Sequence, residues 1–316
     1  MFGVGLSVLA AALTLPAIAQ NRAAPSARAS ENGPAVERTV EPVWTPVPIP
    51  EQVGVTEGFA DAGGVRLWYW DTGGDGEVLL LSHPGSQSSL IWQYQQPYFA
   101  KAGYRVIAYS RRGHYRSEHG PANDPGTTVA DLANLLDHLD VDRVHLLGAA
   151  AGGITAMAFA IAHPERTRSL ILAGSIVSPD EDEWRDMFGR LEMAEARQHM
   201  SAAFLELSAS YRAGNPAGTE LFEHRSTQGR TNGPVSQPSG VSVKWNVMEN
   251  LQTPVLLLTG EADLYSPPSL QRLFAQHLRN YELAVVPESA HAVYWEQPGQ
   301  FNRIVLDFLR RQRASD

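Results

Sequence analysis

The chain contains no cysteine, which excludes disulfides and thiolate metal sites and leaves the redox compartment open. It has no basic run either. Its 25 Lys and Arg are outnumbered by 34 Asp and Glu, for a formal net charge of −9. No nucleic-acid partner is therefore expected, because phosphate charge calls for a basic surface. No His-x-x-x-His pair occurs, so no metal is expected. A G-x-G-x-x-G fingerprint after a strand is also missing, which removes a dinucleotide, and no other cofactor is implied. The most informative absence is a single hydroxyl, at residue 150.

Ala150 lies in Val144-His145-Leu146-Leu147-Gly148-Ala149-Ala150-Ala151-Gly152-Gly153, an apolar strand, a glycine-rich turn and the start of a helix-like run to His163. A G-x-Ser-x-G turn in this setting holds its serine on a strained backbone with the hydroxyl exposed and the next amide aimed at the reacting carbonyl. Here the frame Gly148-x-Ala150-x-Gly152 is intact and the serine is alanine. Partners for such a nucleophile follow in order. Val255 to Thr259 runs into Gly260-Glu261-Ala262-Asp263, and Ala284-Val285-Val286-Pro287 runs into Glu288-Ser289-Ala290-His291. Nucleophile, acid and histidine along the chain is the order of an α/β-hydrolase triad, in which His291 takes the nucleophile's proton and Asp263 fixes its tautomer.

From about Phe59 to Leu309 the sequence resembles the α/β-hydrolase superfamily, in its capped esterase, lactonase and C–C hydrolase branch. Val78 to Ser86 (VLLLSHPGS) resembles the family's strand and oxyanion loop, and Arg112-Gly113-His114-Tyr115-Arg116-Ser117 its R-G-x-G-x-S turn, with Tyr115 in place of the second glycine. Trp92 to Tyr109 is similar to its first helix and following strand, and His291 to Pro298 to its histidine loop. The resemblance implies an oxyanion hole made by the amides of Ala151 and Gly85. The family's usual His-Gly-x is His83-Pro84-Gly85 here, and Pro84 has no amide proton to give. Ser86 is a candidate to add a hydroxyl, with turn capping as its alternative role. Arg111 and Arg112 are candidates to attract a carboxylate, although the resemblance makes Arg112 a loop brace. His83 and His114 are expected to make structural hydrogen bonds.

The expected fold is α/β, with a mostly parallel sheet flanked by helices. Strands are expected at Val65–Asp71, Val78–Ser82, Arg105–Ser110, Val144–Leu147, Ser169–Ala173, Val255–Thr259 and Leu283–Val286. Helices are expected at Ile91–Ala102, Val129–Leu139, Ile154–His163, Pro268–Leu278 and Gln300–Arg311. The strands are apolar with little alternation, as in parallel sheets covered on both faces, and strand–helix alternation implies that sheet. Residues 53–177 and 251–316 then form the core. Residues 178–250 break the alternation and stand where the family places its cap. Trp184, Met187, Phe188, Leu191, Met200, Phe204 and Leu207 recur there at roughly helical spacing, while Gly214 to Gly240 is rich in Gly, Pro, Ser, Thr and Asn. Trp184, Met187 and Phe188 are the expected substrate-facing positions.

Ahead of the core, Val4 to Leu15 is apolar, of signal-peptide length and too short to span a bilayer, and Ala17-Ile18-Ala19 fits a cleavage site. The expectation is a leader over 1–19, a Pro/Ala-rich linker over 20–52, and a periplasmic or secreted protein with no stable membrane anchor. The expected partner is a small apolar ester or lactone, hydrolysed by a serine enzyme of which this chain is an inactive Ser-to-Ala form. The alternatives are C–C bond hydrolysis of a β-diketone and non-catalytic ligand binding on the same fold. Retention of Asp263 and His291 favours deliberate replacement of serine over a natural binder. Oligomeric state is not legible.

Overall fold

The computed structural model describes residues 45–175, 177, 179–191, 199–229 and 237–313. The expected leader and most of the linker lie outside them. In chain order the elements are β1 (Thr56–Asp61), β2 (Arg66–Asp71), β3 (Val78–Ser82), α1 (Gln96–Lys101), β4 (Arg105–Tyr109), α2 (Thr128–His138), β5 (Val144–Ala149), α3 (Ala151–Ala162) and β6 (Thr167–Ala173). The described cap helices are α4 (Asp182–Leu191), α5 (Ala202–Glu206), α6 (Ala209–Gly214), α7 (Pro216–Gly229) and α8 (Trp245–Met248). The chain then returns through β7 (Val255–Gly260), α9 (Pro268–Gln276), β8 (Tyr281–Val286), α10 (Val293–Glu296) and α11 (Pro298–Arg313).

The eight strands pair in the order β1-β2-β4-β3-β5-β6-β7-β8. β2 is antiparallel to both its neighbours, and the pairs from β4 to β8 are parallel. Side chains alternate across the sheet with a period of two. Leu80, Leu146, Leu170 and Leu257 pack on one face with α2, α3 and α9. Leu79, Leu81, Leu147, Ile171 and Leu256 pack on the other with α1 and α11. Two covered faces explain why the strands carry unbroken apolar runs. β3 leads to β4 on one side while β5 lies on its other side. That reversal opens a crevice at the carboxyl ends of β3 and β5, the usual place for a ligand in an open α/β sheet.

One local expectation needs correction, and two elements were not expected. The helix expected over Ile91–Ala102 is a 3₁₀ turn, Ser89–Tyr94, followed by α1. Pro97 favours the first turn of a helix, so a new helix begins at Gln96 rather than continuing through it. β1 was not expected, because TEGFAD is short, contains glycine and has polar residues at half of its positions. The polar stretch after Gly214 contains α7, whose start is written as Asn215-Pro216. The Asn215 side chain accepts the Gly218 amide at 2.9 Å as an N-cap, and proline takes the first helical position.

Arg112 braces the loop after β4. Its guanidinium donates to both Asp131 oxygens, at 2.8 and 2.7 Å, and to the Ala62 carbonyl at 3.2 Å. Gln237 donates to the same carboxylate at 2.7 Å. Both charges are almost fully buried, and removing one partner strands the other. Arg112→Ala should therefore lower unfolding free energy by about 3–5 kcal/mol, measured by denaturant titration. A loss below about 1 kcal/mol would show that the pair is no more than a surface contact.

Candidate active site

The turn after β5 places Ala150 at φ +47°, ψ −115°, a conformation that costs a non-glycine residue on the order of 1–3 kcal/mol. Surrounding bonds impose it. The Ala150 amide donates to the Ala173 carbonyl of β6 at 3.0 Å, and the Ser175 hydroxyl donates to the Ala150 carbonyl at 2.8 Å. Gln271 of α9 donates to the Ser175 carbonyl at 2.9 Å, which ties the turn to the core. The glycine frame has a steric cause. A Cβ on Gly152 would collide with the Ser82 carbonyl of β3, so only glycine lets α3 start this close to the sheet. The turn holds its strained shape with alanine at its apex.

Asp263 and His291 meet at the ends of β7 and β8. His291 Nδ1 lies 3.0 Å from each Asp263 oxygen. The carboxylate also accepts the amides of Tyr265 and Ser266, at 2.8 and 2.9 Å. Burial alone pushes the Asp263 carboxyl up, but the charge and hydrogen bond of His291 and the Ser266 and Tyr265 amides hold it below its ordinary value. An anionic acceptor at Nδ1 selects the tautomer with its proton there, leaving Nε2 as the basic nitrogen. Gly174, at φ +54°, runs past the pair. A Cβ there would sit 2.9 Å from the His291 carbonyl and 3.1 Å from Nδ1, so any side chain would push the ring aside.

The loop after β3 is fixed by a histidine. His83 Nδ1 donates to the Pro84 carbonyl at 2.8 Å, and Nε2 accepts the Arg111 amide at 2.9 Å. Burial, with the charges of Arg111 and His114, holds the His83 ring well below its ordinary pKa, so it stays neutral in this one tautomer. His114 Nδ1 donates to the Gln87 carbonyl at 2.8 Å. Gly85 thereby faces Ala151, a Cβ built on it lying 3.6 Å from the Ala151 Cβ. Among the described residues neither amide has a hydrogen-bond acceptor. Two uncommitted amides beside the apex of the turn suit a developing oxyanion. Tyr115, where the resemblance leads one to expect glycine, adopts φ +45°. Its ring packs edge-on against Trp68 with centroids 4.9 Å apart, and its amide donates to Gly229 at 2.8 Å.

A cavity of about 370 Å³ joins these parts, lined by Pro84, Gly85, Ser86, Ala150, Ala151, Ile154, Gly174, Glu206, Tyr265 and His291. The structure thus brings Ala150, Ala151, Gly85, Ser86, Asp263 and His291 together, while Arg111, a candidate to attract a carboxylate, is not among the lining residues. Trp184, Met187 and Phe188 are not among the lining residues and need correction. Trp184 is buried, its ring 5.4 Å from that of Phe274 on α9 and stacked on Phe188 at 6.2 Å, and Met187 packs on the same cluster. Helical spacing marks a face that is covered without saying what covers it. The cap contributes Glu206 instead, at the end of α5, which sequence reasoning missed. Its signal was one acid in the otherwise apolar run Ala202 to Leu207. Ser86 donates to Glu206 at 2.8 Å, and the Glu206 carbonyl accepts the Ala292 amide at 3.0 Å. Glu296 makes a second tie, accepting the amides of Ala290 and of cap residue Ser208 at 2.8 and 3.0 Å. Burial raises its carboxyl above the ordinary value against these bonds.

Comparison with known proteins agrees with this fold. The α/β-hydrolase fold family matches residues 77–228. A 2-hydroxy-6-oxononadienedioate/2-hydroxy-6-oxononatrienedioate hydrolase of Burkholderia vietnamiensis is 28% identical over 270 residues, covering 78% of this chain and 92% of that one. A thermophilic esterase from Thermogutta terrifontis superposes with a TM-score of 0.65 at 23% identity, over 81% of this chain and 99% of that one. The enol-lactonase from Burkholderia xenovorans LB400 gives 0.65 at 23% identity, over 80% and 100%. The chain belongs to the α/β-hydrolase superfamily. Its sequence relatives include several hydrolases and a putative non-heme bromoperoxidase, and the two structures show the shared fold.

Proposed function

We propose that this chain is the alanine form of a serine hydrolase of carboxylic esters or lactones, and that as it stands it holds its substrate without acyl transfer. The observation that carries this reading is the strained turn at Ala150, kept at φ +47° beside a paired Asp263–His291 and two uncommitted amides. A pocket that only binds needs none of that strain. Esters and lactones are favoured over the dioate substrates named for the Burkholderia vietnamiensis relative. Two carboxylates call for cations, and the described lining offers no Lys or Arg and one carboxylate, Glu206.

Binding by the unmodified chain tests the proposal. Its pocket is already shaped, so the ester or lactone that the serine form hydrolyses should raise the melting temperature of the alanine form in a concentration-dependent way. Mass spectrometry should find no acyl adduct at residue 150. A substrate of the serine form that never stabilises this chain would refute a preformed pocket. A pure binder would instead show saturable stabilisation and no turnover in either form.

A further inference from the structure

Gln271 stands on the inner face of α9 and is 1% exposed. Its side-chain nitrogen donates twice, to the Ser175 carbonyl at 2.9 Å and to the Ser266 hydroxyl at 2.7 Å. A primary amide has two N–H donors, so both are spent. Its Oε1 accepts nothing from the described residues, and the side chain therefore acts through those two donors. The acceptors belong to different segments. Ser175 follows β6, and its hydroxyl donates to the Ala150 carbonyl at 2.8 Å. Ser266 lies in the acid loop after β7, and its amide donates to Asp263 Oδ1 at 2.9 Å. The Thr259 hydroxyl of β7 donates to the Ser266 carbonyl at 2.9 Å, which anchors that loop from below. One buried nitrogen is thus two hydrogen bonds from the apex of the turn at Ala150 and two from the acid that holds His291.

We propose that Gln271 is a positioning residue, an inference that rests on the hydrolase reading above. It sets the separation between a nucleophile at residue 150 and the Asp263–His291 pair. The apex follows β5, the pair follows β7 and β8, and β6 lies between them. Ladder hydrogen bonds fix the strands, whereas the loops beyond their ends need ties of their own. Proton transfer tolerates little error, since a misplacement of about 1 Å can cost 10²-fold in rate. Gln271 spans the gap, and neither loop can shift without breaking one of its two bonds.

The Ala150→Ser protein tests this, with p-nitrophenyl butyrate and γ-butyrolactone as probes. Gln271→Met keeps the length of the side chain and deletes both donors. Measured per folded molecule, kcat and kcat/KM should fall together by about 100-fold. An unchanged kcat, or a loss carried by KM alone, would overturn the proposal. A double-mutant cycle separates positioning from packing. Ser266→Ala removes the acceptor on the acid side alone, and it should itself lower kcat, which keeps the test open if Gln271→Met does not fold. The combined variant should lose clearly less than the product of the two single losses, because both break one tie. Losses that multiply, or no loss in Ser266→Ala, would overturn the proposal. If Ala150→Ser hydrolyses no ester or lactone, the hydrolase reading has failed separately, and the unmodified chain decides. Exchange of the His291 Nδ1 proton with water, followed by NMR, should then speed at least ~10-fold in Gln271→Met while the amides of β5 exchange as before. Unchanged exchange at His291, or equal acceleration in β5, would refute the role of Gln271.

Discussion

Ala150→Ser is expected to raise the rate of ester or lactone hydrolysis by on the order of 10⁶-fold over the present chain, the usual size of a triad nucleophile's contribution. The expectation rests on how little else has to change. The backbone at 150 already has the φ +47° that exposes a nucleophile, held by Ala173 and Ser175 rather than by its own side chain. Ala150 already lines the cavity with His291, and the Ala151 and Gly85 amides flank it. One hydroxyl adds a nucleophile without disturbing the buried charges of the dyad. Steady-state assays across p-nitrophenyl esters, lactones and β-diketones measure the gain. A folded Ala150→Ser protein inert to all three classes would sink the enzyme reading, and activity confined to β-diketones would move it to C–C hydrolysis.

In that serine form, His291 and Asp263 should behave as one unit. His291→Ala should abolish nearly all of the regained rate. Asp263→Asn should cost about 10⁴-fold, since an amide in place of the anion no longer enforces the productive tautomer. The pH dependence has a definite sign. Asp263 is held below its ordinary value, so it stays anionic throughout the range in which the imidazole titrates. kcat/KM should therefore rise through a single ionisation as His291 loses its proton and becomes a free base, with no second acidic limb. Substantial activity in His291→Ala would place the general base elsewhere.

Much of the fold was legible because apolar strands and chain punctuation are local. Val78–Ser82 and Val255–Gly260 read as buried strands from their own residues, and both are. The turn at Ala150 was legible for a related reason. Glycines at 148 and 152 record close backbone contacts that the sequence cannot avoid writing down. What was not legible depends on partners distant in sequence. Glu206 enters the cavity because Ala292 and Ser86 hold it, and neither is near it in the chain. Trp184, Met187 and Phe188 read correctly as an apolar face, but only the placement of Phe274 decides that this face turns away from the cavity. α7 was written in its Asn-Pro start and obscured by the polar composition around it.

The two ties between cap and histidine loop have a mechanical consequence. The backbone on both sides of His291 is fastened to the cap, Ala290 through the Glu296 carboxylate to Ser208 and Ala292 to the Glu206 carbonyl. The cap is thus no independent flap, because lifting α5 from the core would drag His291 from Asp263 or break both ties. Its helices act as a clamp on the imidazole. A substitution that loosens them, however far from the cavity, should register first as a misaligned proton acceptor.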